Sequence, residues 1–424
     1  MTSFRFLHAA DIHLDSPLRG LDRYEGAPVD ELRGASREAL RSLVELVRSE
    51  DVAFVLLAGD VYDGDWKDYN TGLFFAHEMS KLRRADVRVF IVSGNHDAAS
   101  QLTKNVSLPS NVHVFPTERP GTAVIDDLSV AIHGQGFARR EVREDLSVGY
   151  PAPLPGHLNI GLLHTSAGGR EGHENYAPCR VESLVAKGYD YWALGHVHQR
   201  EVLHEDPWIV FPGNVQGRHI RESGPRGCTL VSVEDGEIHR VEQRDLDVLR
   251  WALVEVDAAG AEGTDEVLER VEAEFRRAQE RASDRLLAVR VRVQGACAAH
   301  GELSAEPRRF TEEVRVRATD VSGGLTWVEK VEWRTAVARD LGELSRADEA
   351  LGGLLSSIDE AAASDDGLRE LAASLEPLRR KLPVEVLEGD DSLDLESPAA
   401  LREVLDDVRQ LLVSRLLGAG GGGR

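Results

Sequence analysis

Five short polar motifs, each at the end of an apolar run, constrain this 424-residue chain more than any other feature. Asp11-Ile12-His13 follows FRFLHAA (4–10), and Gly59-Asp60-Val61-Tyr62-Asp63 ends VAFVLLAG (52–59). Gly94-Asn95-His96-Asp97 ends VRVFIVSG (87–94), His164 closes LNIGLLH (158–164), and Gly195-His196-Val197-His198 ends YDYWALG (189–195). Nearly continuous apolar runs of this length read as strands buried on both faces. Between them, SREALRSLVELVRSE (36–50) and YNTGLFFAHEMSKLRR (69–84) have helical periodicity, with Ser36 placed to N-cap the first. WIVFPG (208–213) and GCTLVSVEDGEIHRVEQ (227–243) read as antiparallel strands, with Asp235-Gly236 as a hairpin turn. The sum is an α/β domain over residues 1–245, its sheet covered by helices on both outer faces. In such sheets ligands bind at the C-terminal strand ends, where all five motifs fall.

Each motif is weak alone, but together they hold the donors that one dinuclear site requires. Two divalent ions about 3.5–4 Å apart need Asp oxygens and His nitrogens, with one carboxylate serving both. Asp11 and His13, an i, i+2 pair leaving a strand, can turn toward one ion. Gly59 permits a sharp backbone turn, so Asp60 can project between both ions. Asn95 offers a neutral amide oxygen, and His196 and His198 can each reach a different ion. Ions so held polarise a phosphate and lower the pKa of a water that attacks phosphorus in line. His96, beside a ligand, is placed to reach the phosphate as general acid, and Asp97 is the carboxylate expected to orient its imidazole. Thirteen of the fifteen histidines precede residue 220, which puts the chemistry in the first half.

Other residues carry two readings. His8 is expected to pack beneath the site. His133, in IHGQGF (132–137), suits a structural role and a substrate-facing one equally. Arg139, Arg140, Arg170, Arg218, His219 and Arg221 are candidate phosphate contacts, because arginine's planar fork binds two oxygens at once. Arg218 and His219 rank first among them, since they follow the Gly-rich loop 213–217. Trp66, in the loop after the second motif, could stack on a base or simply pack on the domain surface.

Beyond residue 250 the pattern changes to a small α+β domain over 250–335, then to an acidic helical region over 336–417 punctuated by Pro377, Pro383 and Pro398, with a disordered tail over 418–424. Leu401, Val404, Leu405, Val408, Leu411, Leu412 and Leu416 form a helical stripe that serves as core or as a docking surface; a terminal helix with little else to pack against favours docking. The three separated cysteines, Cys179, Cys228 and Cys297, form no C-x-x-C pair and fit a reducing compartment. With no apolar run of about twenty residues and no signal peptide before the first strand, the expected location is the cytoplasm, away from membranes. The net charge of −23 argues against a broad basic surface for duplex DNA and suggests that DNA affinity needs a partner.

These motifs resemble the calcineurin-like metallophosphoesterases. HAADIHLDSP (8–17), AGDVYD (58–63), VSGNHD (92–97), IHGQGF, LLHT (162–165), ALGHVHQ (193–199) and FPGNVQGRHIRESGPRG (211–227) are similar to bacterial SbcD-type DNA repair exonucleases, the last motif to their YhaO-type subgroup. The resemblance covers residues 1–245 and fades beyond them. It implies a four-layer sandwich of two mixed β-sheets flanked by helices, followed by a small capping domain. It implies Asp11, His13, Asp60 and His198 for a first metal, Asp60, Asn95, His164 and His196 for a second, and His96 as the catalytic histidine. Some relatives have a helper histidine three residues after the shared aspartate; here Asp63 stands there, which leaves the balance of exonuclease and endonuclease open. Two divalent ions, usually Mn²⁺, an SMC-like coiled-coil ATPase partner and a homodimer are also implied. The expected activity is 3′ to 5′ hydrolysis of DNA in repair; a small-molecule phosphodiesterase or phosphatase with the same metal core, and a non-catalytic scaffold subunit, are the alternatives.

Overall fold

The computed structural model describes residues 3–16, 26–63, 69–99, 106–167, 176–283, 285–338, 349–379, 381, 397–402, 404–405, 408–409 and 412. Trp66, Arg170, Leu411, Leu416 and the 418–424 tail lie outside the described residues. The chain divides into two compact units, Met1–Ala252 with Ala282–Val289, and Leu253–Arg281 with Arg290–Arg424.

In chain order the strands of the first unit are β1 (Phe4–Ala9), β2 (Val52–Leu57), β3 (Arg88–Ile91), β4 (Val112–Val114), β5 (Gly121–Ile125), β6 (Val130–Gln135), β7 (Leu158–His164), β8 (Tyr191–Gly195), β9 (Glu201–Glu205), β10 (Trp208–Phe211), β11 (Gly227–Glu234) and β12 (Glu237–Asp245). They build two six-stranded mixed sheets, ordered β12-β11-β1-β2-β3-β4 and β5-β6-β7-β8-β10-β9. The central strands β1, β2 and β3 run parallel, as do β6, β7, β8 and β10. β10 is thus parallel to β8 and antiparallel only to β9. The Asp235-Gly236 turn joins β11 to β12 with both residues at positive φ, the geometry that matches the twist of a two-residue hairpin.

Side chains alternate across each strand, so one sheet feeds two cores. Phe6, Phe54, Leu56 and Phe90 of the first sheet meet Ile132, Ile160, Leu162, Tyr191 and Val210 of the second in the space between them. The other face of the first sheet (Leu7, Val55, Leu57, Val89) packs on α1 (Val29–Ser49) and α2 (Tyr69–Arg84) through Leu40, Leu43, Val47, Phe75 and Met79. The outer face of the second sheet buries Trp192, Leu194 and Phe211 against Leu184 of the helix Val181–Ala186. The result is the α/β sandwich of two mixed sheets flanked by helices.

One expected boundary is wrong. α1 begins at Val29, not at Ser36; Asp30 and Glu31 in its first turn favour the positive end of the helix dipole. Ser36 lies inside the helix, where its Oγ accepts the backbone N–H of Asp15 (3.1 Å).

His8 faces the second sheet, with Nδ1 3.0 Å from Tyr191 Oη and Nε2 3.1 Å from the Leu194 carbonyl. Burial pushes its pKa down to about 3. The unfolded chain protonates this ring near 6.5, so the folded state loses stability as pH falls below that value. His8→Gln is therefore expected to remove about 2 kcal/mol of acid destabilisation between pH 7 and pH 5, at about 1.4 kcal/mol per unit. Urea unfolding of both chains in EDTA measures this; a difference that stays constant between the two pH values would refute it.

The second unit contains most of a three-stranded sheet ordered β13-β14-β15, from β13 (Leu249–Asp257), β14 (Leu286–Cys297) and β15 (Thr326–Val337). The helix Thr264–Ala282 buries Val267, Val271 and Phe275, and the helix Pro307–Ser322 packs on β15 with Phe310 and Val314 buried. β15 runs to Val337, so residue 336 is strand rather than the start of the helical region. Two helices follow, Glu349–Ala362 and Asp365–Arg379, with Pro377 inside the second. Leu401 and Leu405 of the terminal stripe pack with Leu368, Ala372 and Leu375, so part of that stripe is intramolecular core. Among the described residues no helix is long and apolar enough to cross a membrane.

Candidate metal centre

The C-terminal ends of β1, β2, β3, β7 and β8 bring all seven predicted metal ligands to one place. Asp11, His13 and His198 present ligand atoms within 4.8 Å of one another, as do Asp60, His164 and His196, and as do His13, Asp60 and His96. Asn95 joins the second group through its Oδ1, 2.9 Å from His164 Nε2. Asp60 is held by the backbone N–H of His96 on Oδ1 (2.9 Å). Its Oδ2 lies 3.9 Å from His13 Nε2 and 3.5 Å from His164 Nε2, between the two groups. Asp11 accepts the N–H of His196 (2.9 Å), which ties the first sheet's edge to the second.

The donor chemistry fits divalent cations. His164 Nδ1 is 2.9 Å from the carbonyl of Ala58, which can only accept, so the ring proton sits on Nδ1. Burial pushes its pKa down to about 3, so the ring is neutral. Its Nε2 lone pair therefore faces another acceptor, Asn95 Oδ1, at 2.9 Å. At His198, Nδ1 is 2.7 Å from the Glu222 carboxylate, which leaves its Nε2 lone pair facing His13 Nε2 at 3.2 Å, while His13 Nδ1 is buried with no hydrogen-bond partner. Burial lowers the pKa of both His198 and His13, in His13 well below the ordinary value. Burial and then the charge of Asp60 raise Asp11 well above the carboxylate range, and burial raises Asp60. Buried carboxylates converging with neutral imidazole lone pairs are the arrangement a cation stabilises.

Backbone strain is concentrated here. Asp11, His13, Asp60 and His196 all have positive φ (51°, 44°, 51° and 105°). Such angles cost of order 1–3 kcal/mol each in non-glycine residues and persist where surrounding structure forces them. Two glycines make room. Gly59 has φ 92°, and a Cβ there would meet His164 Nδ1 at 2.5 Å. A Cβ on Gly94 would collide with Asp60 Oδ1, the oxygen that the His96 N–H already holds in place. Gly94→Ala is expected to displace Asp60, cost about 1–3 kcal/mol of stability and remove Mn²⁺-dependent thermal stabilisation. Melting curves with and without Mn²⁺ test this; an unchanged Mn²⁺ response would show that the Asp60 position tolerates the methyl.

The carboxylate found on the His96 imidazole is Asp63, not Asp97. Asp63 Oδ1 is 2.8 Å from His96 Nδ1, and its Oδ2 accepts from Ser16 Oγ (2.6 Å). Asp97 instead receives the backbone N–H groups of Val61, Tyr62 and Gly94, closing the turn into α3 (Asn95–Ala99) onto the Asp60 loop. Burial drags the His96 pKa down, but the hydrogen bond to Asp63 and the charges of Asp60 and Asp63 outweigh it and hold His96 above its ordinary value.

The proposed substrate contacts fare differently. His133 is buried in the second sheet, bonded to Thr122 Oγ1 (2.9 Å) and Asn159 Oδ1 (3.2 Å) and stacked on Tyr189, contacts that favour the structural of its two readings. Arg218 lies beside the centre, but its guanidinium binds Glu222 (Nη2 to Oε1, 3.0 Å). His219 is partly exposed, with Nε2 3.7 Å from the same carboxylate. Arg139 pairs with Glu144 on the surface. Glu222 is not legible in the sequence: no spacing rule says which carboxylate will back an imidazole 24 residues away. Phe137, the last residue of the IHGQGF motif, and Tyr176 set their rings edge-on to His164 and His196.

Comparison with known proteins yields two family matches: the calcineurin-like phosphoesterase family over residues 4–200, and the middle domain of metallophosphoesterase YhaO over residues 251–336. Metallophosphoesterase YhaO of Bacillus subtilis (strain 168) is 31% identical over 380 residues, 86% of this chain and 89% of that protein. The DNA double-strand break repair protein Mre11 of Methanopyrus kandleri is 26% identical over 300 residues, 63% of this chain and 62% of that protein. The crystal structure of TT1561 of Thermus thermophilus aligns with 58% of this chain and 100% of its own at 13% identity and a TM-score of 0.35.

Proposed function

Because this chain belongs to the calcineurin-like metallophosphoesterases, in the YhaO-like family, we propose that it hydrolyses phosphodiester bonds of DNA, as a 3′ to 5′ exonuclease in repair, with two Mn²⁺ ions. The observation that carries the reading is Asp60 Oδ2 set between the two ligand groups, with the Asp63–His96 pair beside it. Asp11, His13, Asp60 and His198 would hold one ion, and Asp60, Asn95, His164 and His196 the other. Bound there, such ions supply charge that polarises the phosphate and acidifies the attacking water.

The chain's own residues do the rest. Asp63, held by Ser16, takes His96 Nδ1 and fixes the ring. Nε2 is then the nitrogen that hands a proton to the leaving oxygen. The Asp97 carboxylate fixes the Asp60 and Asn95 loops relative to each other, which keeps the ligand groups in register. DNA as substrate is supported by the similarity to the repair protein Mre11. The net charge of −23 supports the need for a partner that supplies DNA affinity, and the resemblance to SbcD-type exonucleases implies an SMC-like ATPase in that part.

A second reading, a small-molecule phosphodiesterase, is favoured by one observation: the best-placed arginine, Arg218, spends its guanidinium on Glu222. The test is Mn²⁺-dependent degradation of end-labelled duplex and single-stranded DNA, with bis-p-nitrophenyl phosphate alongside and His96→Ala as control. Loss of label that vanishes in His96→Ala supports the nuclease. Hydrolysis of the small diester alone, with DNA untouched even after adding the cognate ATPase, would transfer the assignment to small diesters. No hydrolysis of either would make the chain a scaffold.

A further inference from the structure

We infer that Glu222 is a positioning residue that makes the two ion positions unequal, strengthening the one built on Asp11, His13 and His198. This rests on the two-ion reading above. Glu222 is 4% exposed and sits at the end of the short turn Ile220–Glu222. Its Oε1 takes His198 Nδ1 at 2.7 Å and Arg218 Nη2 at 3.0 Å. Its Oε2 takes the Arg218 backbone N–H at 2.8 Å and Asn214 Nδ2 at 2.9 Å. Arg226 fixes the pair from behind, donating to the carbonyls of both Glu222 (3.2 Å) and His198. The loop itself is pinned by Gln216, which donates to the Leu249 carbonyl (2.5 Å) and accepts the Val248 N–H (3.0 Å).

The asymmetry lies in what stands behind His198 and behind His164. His198 is backed by a carboxylate, which fixes the proton on Nδ1 and makes Nε2 a stronger donor. His164 of the other group is backed by the neutral carbonyl of Ala58 (2.9 Å), which fixes the tautomer without adding charge. Arg218 sharpens the dependence. Its Nη2 is 3.2 Å from His198 Nδ1, and Glu222 is the carboxylate that its guanidinium bonds there. Removing the carboxylate's charge leaves that cation facing the ligand.

The experiment is Mn²⁺ titration of the metal-free full chain, with free Mn²⁺ followed by electron paramagnetic resonance. Two binding events are expected in the wild type. Glu222→Gln is expected to weaken the tighter event by about 10–100-fold and leave the weaker one within about twofold. Glu222→Gln combined with Arg218→Met, which removes both charges, should recover part of the loss, a result that a merely structural role would not produce. Each variant's metal-free melting temperature is recorded to show that it folds. Two events unchanged in Glu222→Gln, both weakened equally, or no recovery in the double variant would overturn the inference. Fewer than two Mn²⁺ ions bound by the wild type would instead overturn the two-ion reading itself.

Discussion

Asp60→Ala is expected to abolish metal-dependent hydrolysis and Mn²⁺ binding at both positions together, while leaving the metal-free chain at least as stable as wild type. The signs differ because Asp60 plays opposite parts in the two states. With ions bound, its Oδ2 lies where it can serve both ligand groups, so one substitution strips both. Without them it is a buried carboxylate whose burial drives its pKa up, beside Asp11 and Asp97, which are raised in part by its charge. Removing it relieves that repulsion. In wild type, Mn²⁺ at about 100 times its dissociation constant should add about 2.7 kcal/mol to stability for each ion bound; in Asp60→Ala that increment disappears. Denaturant melts with EDTA and with Mn²⁺ provide all four values. A variant that still gains stability from Mn²⁺ would show that the two groups do not share this ligand.

His96→Ala is expected to lower turnover by about 10²–10⁴ while both ions still bind, and Asp63→Asn to fall in the same range. His96 gives Asp60 Oδ1 its backbone N–H, and alanine keeps that donor. Asp63 reaches the chemistry through His96 Nδ1, so the double variant should be little worse than either single one. Turnover of bis-p-nitrophenyl phosphate at saturating Mn²⁺, with metal content measured on the same samples, decides. Losses in the two single variants that multiply in the double would mean that Asp63 and His96 act separately. By contrast, Asp97→Asn should act on the scaffold, raising the Mn²⁺ requirement rather than lowering turnover at saturation, since Asp97 holds loop backbone.

The parts of the fold legible in the sequence are those buried on both sides. β1, β2, β3, β7 and β8 are apolar on each face because cores lie above and below them, and the motifs at their ends inherit that clarity. α2 carries a plain periodic face and occupies the residues that its periodicity predicts. β4, β5 and β9 lie at sheet edges with half-exposed residues, and no apolar run marks them. The start of α1 escapes a sequence reading because Ser36 mimics a cap inside a helix that Asp30 and Glu31 already begin. In the site, the seven ligand candidates can be read because each ends a strand. The imidazole partners cannot. Adjacency favours Asp97 for His96, yet the side chain that arrives comes from 33 residues away, and Glu222 arrives at His198 from 24. Those pairings exist only once two sheets have been stacked.

Four ligand candidates hold positive backbone angles, and the set is drawn from residues as far apart as 11 and 198. An unfolded chain has no reason to keep such angles or to bring such distant positions together. None of the short motifs should chelate by itself, so ion loading follows folding instead of guiding it. The whole binding energy then falls on the native state. Where cleavage samples a transiently open chain, resistance to it tracks that stability, so the lifetime of this protein among proteases becomes a gauge of the divalent metal around it.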